Sequence, residues 1–153
     1  MTLAIRRAAR ADAQAVGEVW LRSFASAYAF PAAHSDDDVR RWIRDELIPN
    51  HETWLAEDER GVVGLLALAP GWVDQLYIDP VAQGECIGRQ LLELAMTLEP
   101  SGELQLWTFQ ANDRARRFYA RNGFVEAERT EGGGNEERQP DVRLVWRREA
   151  APG

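Results

Sequence analysis

The sequence has little cysteine, no long apolar run and no excess of positive charge. Its single cysteine, Cys86, excludes an internal disulfide, so nothing in the composition points to an oxidising compartment. The longest apolar stretch, residues 62–70, is far too short to cross a bilayer. The first seven residues carry charge with no apolar run behind it. We therefore expect no signal peptide and no membrane association, and a cytoplasmic protein.

The charge and the histidines exclude several further classes of function. A formal net charge of −7 disfavours nucleic acid as a partner, because phosphate binding needs a basic face. It suits a small cationic substrate better, and it also fits an ordinary solvated surface. His34 and His51 form no metal-ligand spacing with the lone cysteine, so we expect no metal. Arg89 and Gln90 follow Gly88, which rules out a phosphate loop of the Gly-Lys-Ser/Thr type.

The length and apolar content indicate one α/β domain. With 153 residues, of which 45% are hydrophobic, the chain can bury a stable core without disulfides or a structural metal. We predict that this domain covers residues 1–149 and that residues 150–153 form a frayed tail. The apolar periodicity predicts strands at 3–6, 53–57, 62–69, 72–78, 104–108, 124–130 and 142–146, and helices at 12–24, 36–49, 88–98 and 112–122.

The most informative segment runs over residues 73–98, VDQLYIDPVAQGECIGRQLLELAMTL. It reads as a strand that stops at Asp79 and Pro80, a turn with glycines, and an amphipathic helix. The first N–H groups of such a helix are unpaired and, with the helix dipole, favour a phosphorylated ligand. Gly84 and Gly88 let the backbone approach that ligand closely. Taken alone, Gly84 and Gly88 also fit an ordinary tight turn between a strand and a helix.

A second segment, residues 104–124, reads LQLWTFQANDRARRFYARNGF. Asn112, Ala115, Arg116 and Tyr119 are spaced so that they share one helix face. Asn112 also fits the role of a helix N-cap. Tyr119 also fits a buried core position, and Phe118 is expected to face the core on the opposite side.

Together the two segments resemble the acyl-CoA-binding motifs of the Gcn5-related N-acetyltransferases, the GNAT superfamily. The resemblance implies a mixed, mostly antiparallel sheet with flanking helices, in which the strands at 72–78 and 104–108 are parallel and splayed. It implies transfer of an acetyl group from acetyl-CoA, as co-substrate, to a primary amine by direct attack in a ternary complex. A GNAT-like module that binds acyl-CoA without transferring the acyl group remains the alternative.

The resemblance also assigns roles to individual residues. The N–H of Leu76 would face the thioester carbonyl, Ile78 would pair with the pantetheine arm, and Tyr119 would protonate the departing thiolate. The predicted acyl-CoA contacts are Leu76, Tyr77, Ile78, Gln83, Gly84, Glu85, Cys86, Ile87, Gly88, Arg89, Asn112, Arg116 and Tyr119.

Asp74 is the candidate for deprotonating an ammonium, and a solvated acid at a strand end is the alternative. Strict alternation would place Asp74 with Leu76 and Ile78 on one face of the strand, and Val73 with Gln75 and Tyr77 on the other.

Cys86 stands where the family usually has a glycine. If this position needs a positive φ, the cysteine is strained by about 1 kcal/mol or more. If it needs only a helical φ, the site is unaffected.

The acceptor, a small-molecule or peptide amine, is expected between the first two helices and the last hairpin. Candidate contacts are Trp20, Phe24, Tyr28 and Trp42, which also fit core positions, and Asn135, Glu136 and Glu137, which also fit a solvated loop. The sequence leaves a homodimer open.

Overall fold

A seven-stranded sheet with helices on both faces forms the computed structural model, which describes residues 2–149. The tail predicted at 150–153 lies outside the described residues. The strand order is β1-β2-β3-β4-β5-β7-β6, and every neighbouring pair is antiparallel except β4 and β5, which confirms the predicted mixed sheet. The strands are β1 (Ala4–Arg7), β2 (Glu52–Asp58), β3 (Gly61–Ala69), β4 (Trp72–Ile78), β5 (Glu103–Phe109), β6 (Val125–Thr130) and β7 (Asp141–Arg147).

The helices are α1 (Ala13–Ala27), α2 (Asp36–Trp42), α3 (Ile48–Asn50), α4 (Ile87–Leu98) and α5 (Asp113–Arg121). A π-helical turn, Ile43–Leu47, joins α2 to α3. The helix therefore continues past Pro49, where the sequence predicted its end. Pro49 is the penultimate residue of this continuous helical run, which ends at Asn50. Within the described part of the chain, no helix has the length and apolarity needed to cross a membrane.

The sheet separates two apolar clusters. Successive residues of β3 point to opposite faces, so Leu65 packs under α1 and α2 while Leu66 packs under α4. Ile43 from the π-helical turn and Leu91 from α4 are fully buried on these two sides. The helices are thus anchored on both faces of the sheet, and the strands between them set the geometry of its centre.

β4 and β5 diverge almost as soon as they meet. In residues 2–149 their only register pair is Trp72 with Gln105, and the N–H of Gln105 donates to the carbonyl of Gly71 at 2.9 Å. Beyond this point the two strands leave a V-shaped opening in the middle of the sheet. The predicted splayed parallel pair is confirmed.

A β-bulge changes the start of β4. The register with β3 shifts between Ala67 and Leu68, so Leu68 pairs with Val73 and Ala67 with Gln75. Val73 consequently lies in the same apolar cluster as Leu76 and Ile78, and the predicted alternation is wrong at this end of the strand. An extra residue in a strand reverses the faces of the residues before it. The extra residue is Asp74.

Candidate active site

A cavity of about 1280 Å³ fills the opening between β4 and β5. It extends from the loop before α4, past the first turns of α5, to α1 and the loop between β6 and β7. Most of the residues predicted from the sequence line it. They are Asp74, Leu76, Tyr77, Ile78, Gln83, Gly84, Cys86, Ile87, Gly88, Arg89, Asn112 and Tyr119.

Two predicted contacts do not line this cavity. Glu85 forms an ion pair with Arg60 at 2.7 Å, on the outer side of the loop. Arg116 pairs with Glu126 at 3.0 Å and also donates to the carbonyl of Gln110. Both side chains are therefore held by protein partners, and the structure does not bring them to the predicted site.

Arg114 and Arg121, which the sequence analysis did not single out, do line the cavity. They lie on the same face of α5 as Phe118, one turn apart on either side. That spacing was present in the sequence as a signal. Asn112 and Tyr119 lie on the neighbouring stripe of the same helix.

The loop before α4 has left-handed backbone at two positions. Gly84 has a φ of +84°, and Cys86 has φ 64° and ψ 14°. A side chain in this region is strained, which explains why the family usually has glycine where this chain has Cys86. The loop keeps its backbone N–H groups, because cysteine has a backbone N–H just as glycine does.

We expect Cys86→Gly to raise the free energy of unfolding by about 1 kcal/mol, since glycine adopts a positive φ without the Cβ clash. Urea denaturation with an unchanged m value measures this gain. Arg138→Gly is the matched control, because Arg138 is the other non-glycine residue with positive φ in residues 2–149 and lies in the loop between β6 and β7. If Cys86→Gly leaves the stability unchanged while Arg138→Gly raises it, the loop is not strained at Cys86.

Close packing at the start of α4 explains the second glycine. A Cβ built on Gly88 would lie 3.4 Å from Phe118 and 3.5 Å from Ile78. Phe118 packs against the apolar cluster, as expected, and it also lies beside the loop and lines the cavity, which the sequence did not predict. The absence of a side chain at Gly88 lets α5 approach the first turn of α4.

Helix α1 fixes the end of β4 and the start of the loop. The Ser23 hydroxyl donates to the carbonyl of Ile78 at 2.8 Å. Arg22 forms an ion pair with the buried carboxylate of Asp79 at 2.6 Å, and that carboxylate also accepts from the N–H of Val81. These contacts hold the strand end in place although β5 has already diverged from it.

Asn112 is the N-cap of α5, and both the oxygen and the nitrogen of its side-chain amide form hydrogen bonds. Its Oδ1 accepts from the N–H of Ala115 at 3.1 Å, and its Nδ2 donates to the Tyr28 hydroxyl at 2.9 Å. The N-cap interpretation is confirmed. The contact between Asn112 and the pantetheine arm stays a prediction.

Tyr119 is both a core residue and a cavity residue. Its ring is 8% exposed and packs edge-on against Phe118 and Phe124, with centroids 5.2 and 5.5 Å away. Its hydroxyl makes no hydrogen bond with any other residue in the described range 2–149. Burial raises the pKa of this hydroxyl, with a smaller contribution from Tyr28. The hydroxyl therefore stays protonated at neutral pH and is a weaker acid than a tyrosine exposed to water.

The opposite end of the cavity is aromatic and acidic. Trp20 donates from Nε1 to the side-chain carbonyl of Gln75 at 3.1 Å, and Gln75 donates in turn to Asp74 at 3.3 Å. The Asp74 carboxylate also lies 3.9 Å from Nε2 of His51. Glu137, from the loop between β6 and β7, lines the same end.

A smaller cavity of about 420 Å³ adjoins this end and shares Trp20, Gln75 and Glu137 with the first. It lies between α2 and the loop joining β6 and β7, where His34 contacts Glu136. Trp42 lines this smaller cavity and not the main one. The predicted aromatic and acidic acceptor residues are therefore brought to one side of the opening.

The fold and the cavity together define the class of an acyltransferase, and comparison with known proteins agrees. The family model described as an acetyltransferase (GNAT) domain matches residues 49–126. The peptidyl-lysine N-acetyltransferase YjaB of Escherichia coli K12 is 30% identical over 132 residues, covering 86% of this chain and 88% of YjaB. The chain belongs to the GNAT acetyltransferase family and is an acyltransferase.

Solved structures of the family share the whole architecture. The solution structure of apo-form YjaB from Escherichia coli superposes with a TM-score of 0.79 at 28% identity. The superposition covers 97% of this chain and 100% of the YjaB chain. The PaiA N-acetyltransferase of Thermoplasma acidophilum, solved in complex with coenzyme A, superposes with a TM-score of 0.74 at 22% identity, covering 96% and 99%. The second likeness concerns the fold alone.

Proposed function

We propose that this acyltransferase moves an acetyl group from acetyl-CoA to the side-chain amine of a lysine in a peptide or protein. One observation carries the proposal: a single cavity has the glycine loop of α4 at one end and the carboxylates of Asp74 and Glu137 at the other. The loop suits a pyrophosphate. The acidic end suits an ammonium group, and the name of the related YjaB supports lysine as its source.

The reaction follows from the placement of groups along the cavity. The acceptor amine attacks the thioester carbonyl, so an N–C bond forms and the C–S bond breaks. The negative charge on the carbonyl oxygen faces the N–H of Leu76, a donor of the kind whose loss costs about 3 kcal/mol. Asp74 accepts the proton that the ammonium must lose, directly or through water. Tyr119 gives its proton to the departing thiolate.

A lysine side chain matches the acceptor end in both charge and shape. Its stem is apolar and its tip is a compact cation. The rings of Trp20 and Tyr28 offer an apolar wall, and aromatic faces attract ammonium groups. Glu137 pairs with no cation in the described part of the chain, so its carboxylate is free to meet the acceptor.

We expect Glu137→Gln to raise the KM for a lysine peptide about tenfold, since it removes one charge-assisted contact with the ammonium. The affinity for acetyl-CoA, measured by calorimetry, should not change. Glu131→Gln is the control, because Glu131 lies in the same loop but lines neither cavity. Equal KM values for the two variants would show that Glu137 does not contact the acceptor.

A panel of acceptors tests the proposed function itself. Thiol release is measured with lysine peptides, free small-molecule amines and polyamines, and the products are identified by mass spectrometry. The chain contains no lysine, so every acetyl-lysine detected comes from the acceptor. Turnover with small amines alone would contradict a peptide acceptor. Binding of acetyl-CoA without turnover on any amine would favour the non-transferring module.

A further inference from the structure

The smaller cavity, between α2 and the loop that joins β6 to β7, is not filled by the target lysine in the proposed reaction. Its volume of about 420 Å³ lies within the range of roughly 300–1,000 Å³ that is usual for ligand pockets. Its lining combines the rings of Trp20 and Trp42 with the carboxylates of Asp38, Glu136 and Glu137. Apolar walls with a few charged groups are the usual composition of a binding pocket.

The smaller cavity adjoins the place where the amine reacts. The two cavities share Trp20, Gln75 and Glu137. The Trp20 ring is only 8% exposed and donates to Gln75 at 3.1 Å, so the shared wall is anchored in the core. In an extended peptide, side chains two residues apart point to the same side and start roughly 7 Å apart. A peptide with its lysine in the main cavity can therefore place a neighbouring side chain in the smaller one.

The smaller cavity has an excess of negative charge. Within residues 2–149 its lining includes no arginine, although it includes Asp38, Glu136 and Glu137. Glu136 contacts His34, and Asp38 contacts Arg41, which does not line the cavity. Because a carboxylate accepts up to about four hydrogen bonds, Asp38 and Glu136 keep acceptor capacity beyond these contacts. The cavity therefore favours a cationic side chain.

The aromatic wall favours arginine among the cationic side chains. Trp42 is half-buried, follows Asp38 by four residues and lines the smaller cavity alone. That spacing places the indole ring and the carboxylate on one face of the helix. A planar guanidinium stacks on an aromatic ring and at the same time donates paired hydrogen bonds to carboxylates. A lysine ammonium has no planar face for such stacking.

Hydrogen bonds within the loop between β6 and β7 hold this side of the cavity in place. The side-chain nitrogen of Asn135 donates to the carbonyl of Gln139 at 2.7 Å and to Asp141 at 3.1 Å. Its oxygen accepts from the N–H of Gln139. The contact between Glu136 and His34 connects the loop to the segment between α1 and α2. The walls are thus positioned before a peptide binds, which lowers the cost of ordering them.

We propose that the smaller cavity is a second acceptor subsite, which binds an arginine side chain within three positions of the target lysine. This inference rests on the proposed function, because it requires a peptide or protein acceptor. The guanidinium stacks on Trp42 and donates to Asp38 and Glu136, while Glu137 contacts the ammonium of the target lysine. The enzyme thereby distinguishes lysines by the residues beside them.

The test uses peptides with a blocked N-terminus and one central lysine. Each position from three residues before the lysine to three after it carries in turn arginine, alanine, phenylalanine or glutamate. Thiol release at saturating acetyl-CoA gives kcat/KM for each peptide. We expect kcat/KM to be about tenfold higher with arginine than with alanine at one position, the size of one charge-assisted contact. Glutamate at that position should give a lower value than alanine.

Variants assign this arginine preference to the smaller cavity. Asp38→Asn and Trp42→Leu should reduce the ratio of arginine to alanine kcat/KM to below about threefold, whereas Trp42→Phe keeps an aromatic face and should retain more of it. Asp37→Asn is the matched control, because Asp37 adjoins Asp38 and also pairs with an arginine, Arg40, but lines neither cavity. It should leave the ratio unchanged. A merely structural effect lowers kcat/KM for both peptides alike.

Turnover with equal kcat/KM for arginine and alanine at every position would overturn the inference and leave the proposed function intact. A preference for phenylalanine over arginine would do the same, and so would a ratio that Asp38→Asn and Asp37→Asn change equally. Absence of turnover on every lysine peptide would instead reject the proposed function, and this inference with it.

Discussion

Gly88→Glu is expected to abolish acetyl-CoA binding. The new side chain would start 3.4 Å from Phe118 and 3.5 Å from Ile78, in the space between α4 and α5. Its carboxylate would lie at the helix N-terminus, where the pyrophosphate is proposed to bind. Two like charges about 4 Å apart near a protein surface repel by about 4 kcal/mol, which corresponds to about a thousandfold in affinity. Calorimetry with acetyl-CoA measures the loss.

Two further variants separate charge from bulk in this experiment. Gly88→Ala adds the Cβ alone and should weaken binding much less, since 3.4 Å is an ordinary contact distance. Gly133→Glu adds the same charge in open space, in the loop between β6 and β7, and should leave acetyl-CoA affinity unchanged. A folded Gly88→Glu protein that binds acetyl-CoA like the unaltered one would rule out a phosphate site at α4.

Tyr119→Phe is expected to lower kcat by about 10²–10⁴ while the affinity for acetyl-CoA stays nearly constant. A positioned proton donor typically contributes a factor of this size, and phenylalanine removes only the donor. The ring keeps its packing against Phe118 and Phe124, so the fold and the ligand site are retained. Steady-state kinetics on the best acceptor, combined with calorimetry, separate the two quantities.

The chemical step can be tested through the leaving group. An aryl thioester releases a thiolate that needs little help from a proton donor. With an aryl thioester as the acyl donor, the difference in kcat between the Tyr119→Phe protein and the unaltered one should therefore be smaller. Equal kcat values with acetyl-CoA would mean that Tyr119 is a packing residue and that the thiolate leaves unaided.

Features that depend on neighbouring residues were predictable from the sequence. The strand that ends at Asp79, the glycine turn and the helix from Ile87 onward are encoded in adjacent residues, and the structure forms them with boundaries shifted by only a residue or so. The parallel pairing of β4 with β5 was predicted from the usual right-handed crossover of a strand–helix–strand unit. The apolar stripe alone was enough to predict the twelve-residue helix α4.

Features that depend on distant residues were not predictable. The bulge at Asp74 arises from the register of β4 against β3, which no pattern within β4 records. The bond between Asn112 and Tyr28 joins residues 84 positions apart. The sequence predicted Arg116 as a ligand contact, although Arg114 lies on the same helix. The structure shows that Arg116 pairs with Glu126 instead, a residue of the next strand.

The narrow junction between β4 and β5 divides the sheet into two parts, β1–β4 and β5–β7–β6, whose strands meet at a single register pair in the described chain. A ligand seated in the opening touches both parts and so adds to the forces that keep them together. Any ligand that binds only the folded state stabilises it in proportion to the logarithm of its concentration. With acetyl-CoA as the proposed ligand of this opening, we expect the lifetime of the protein against unfolding and proteolysis to fall when that donor is scarce.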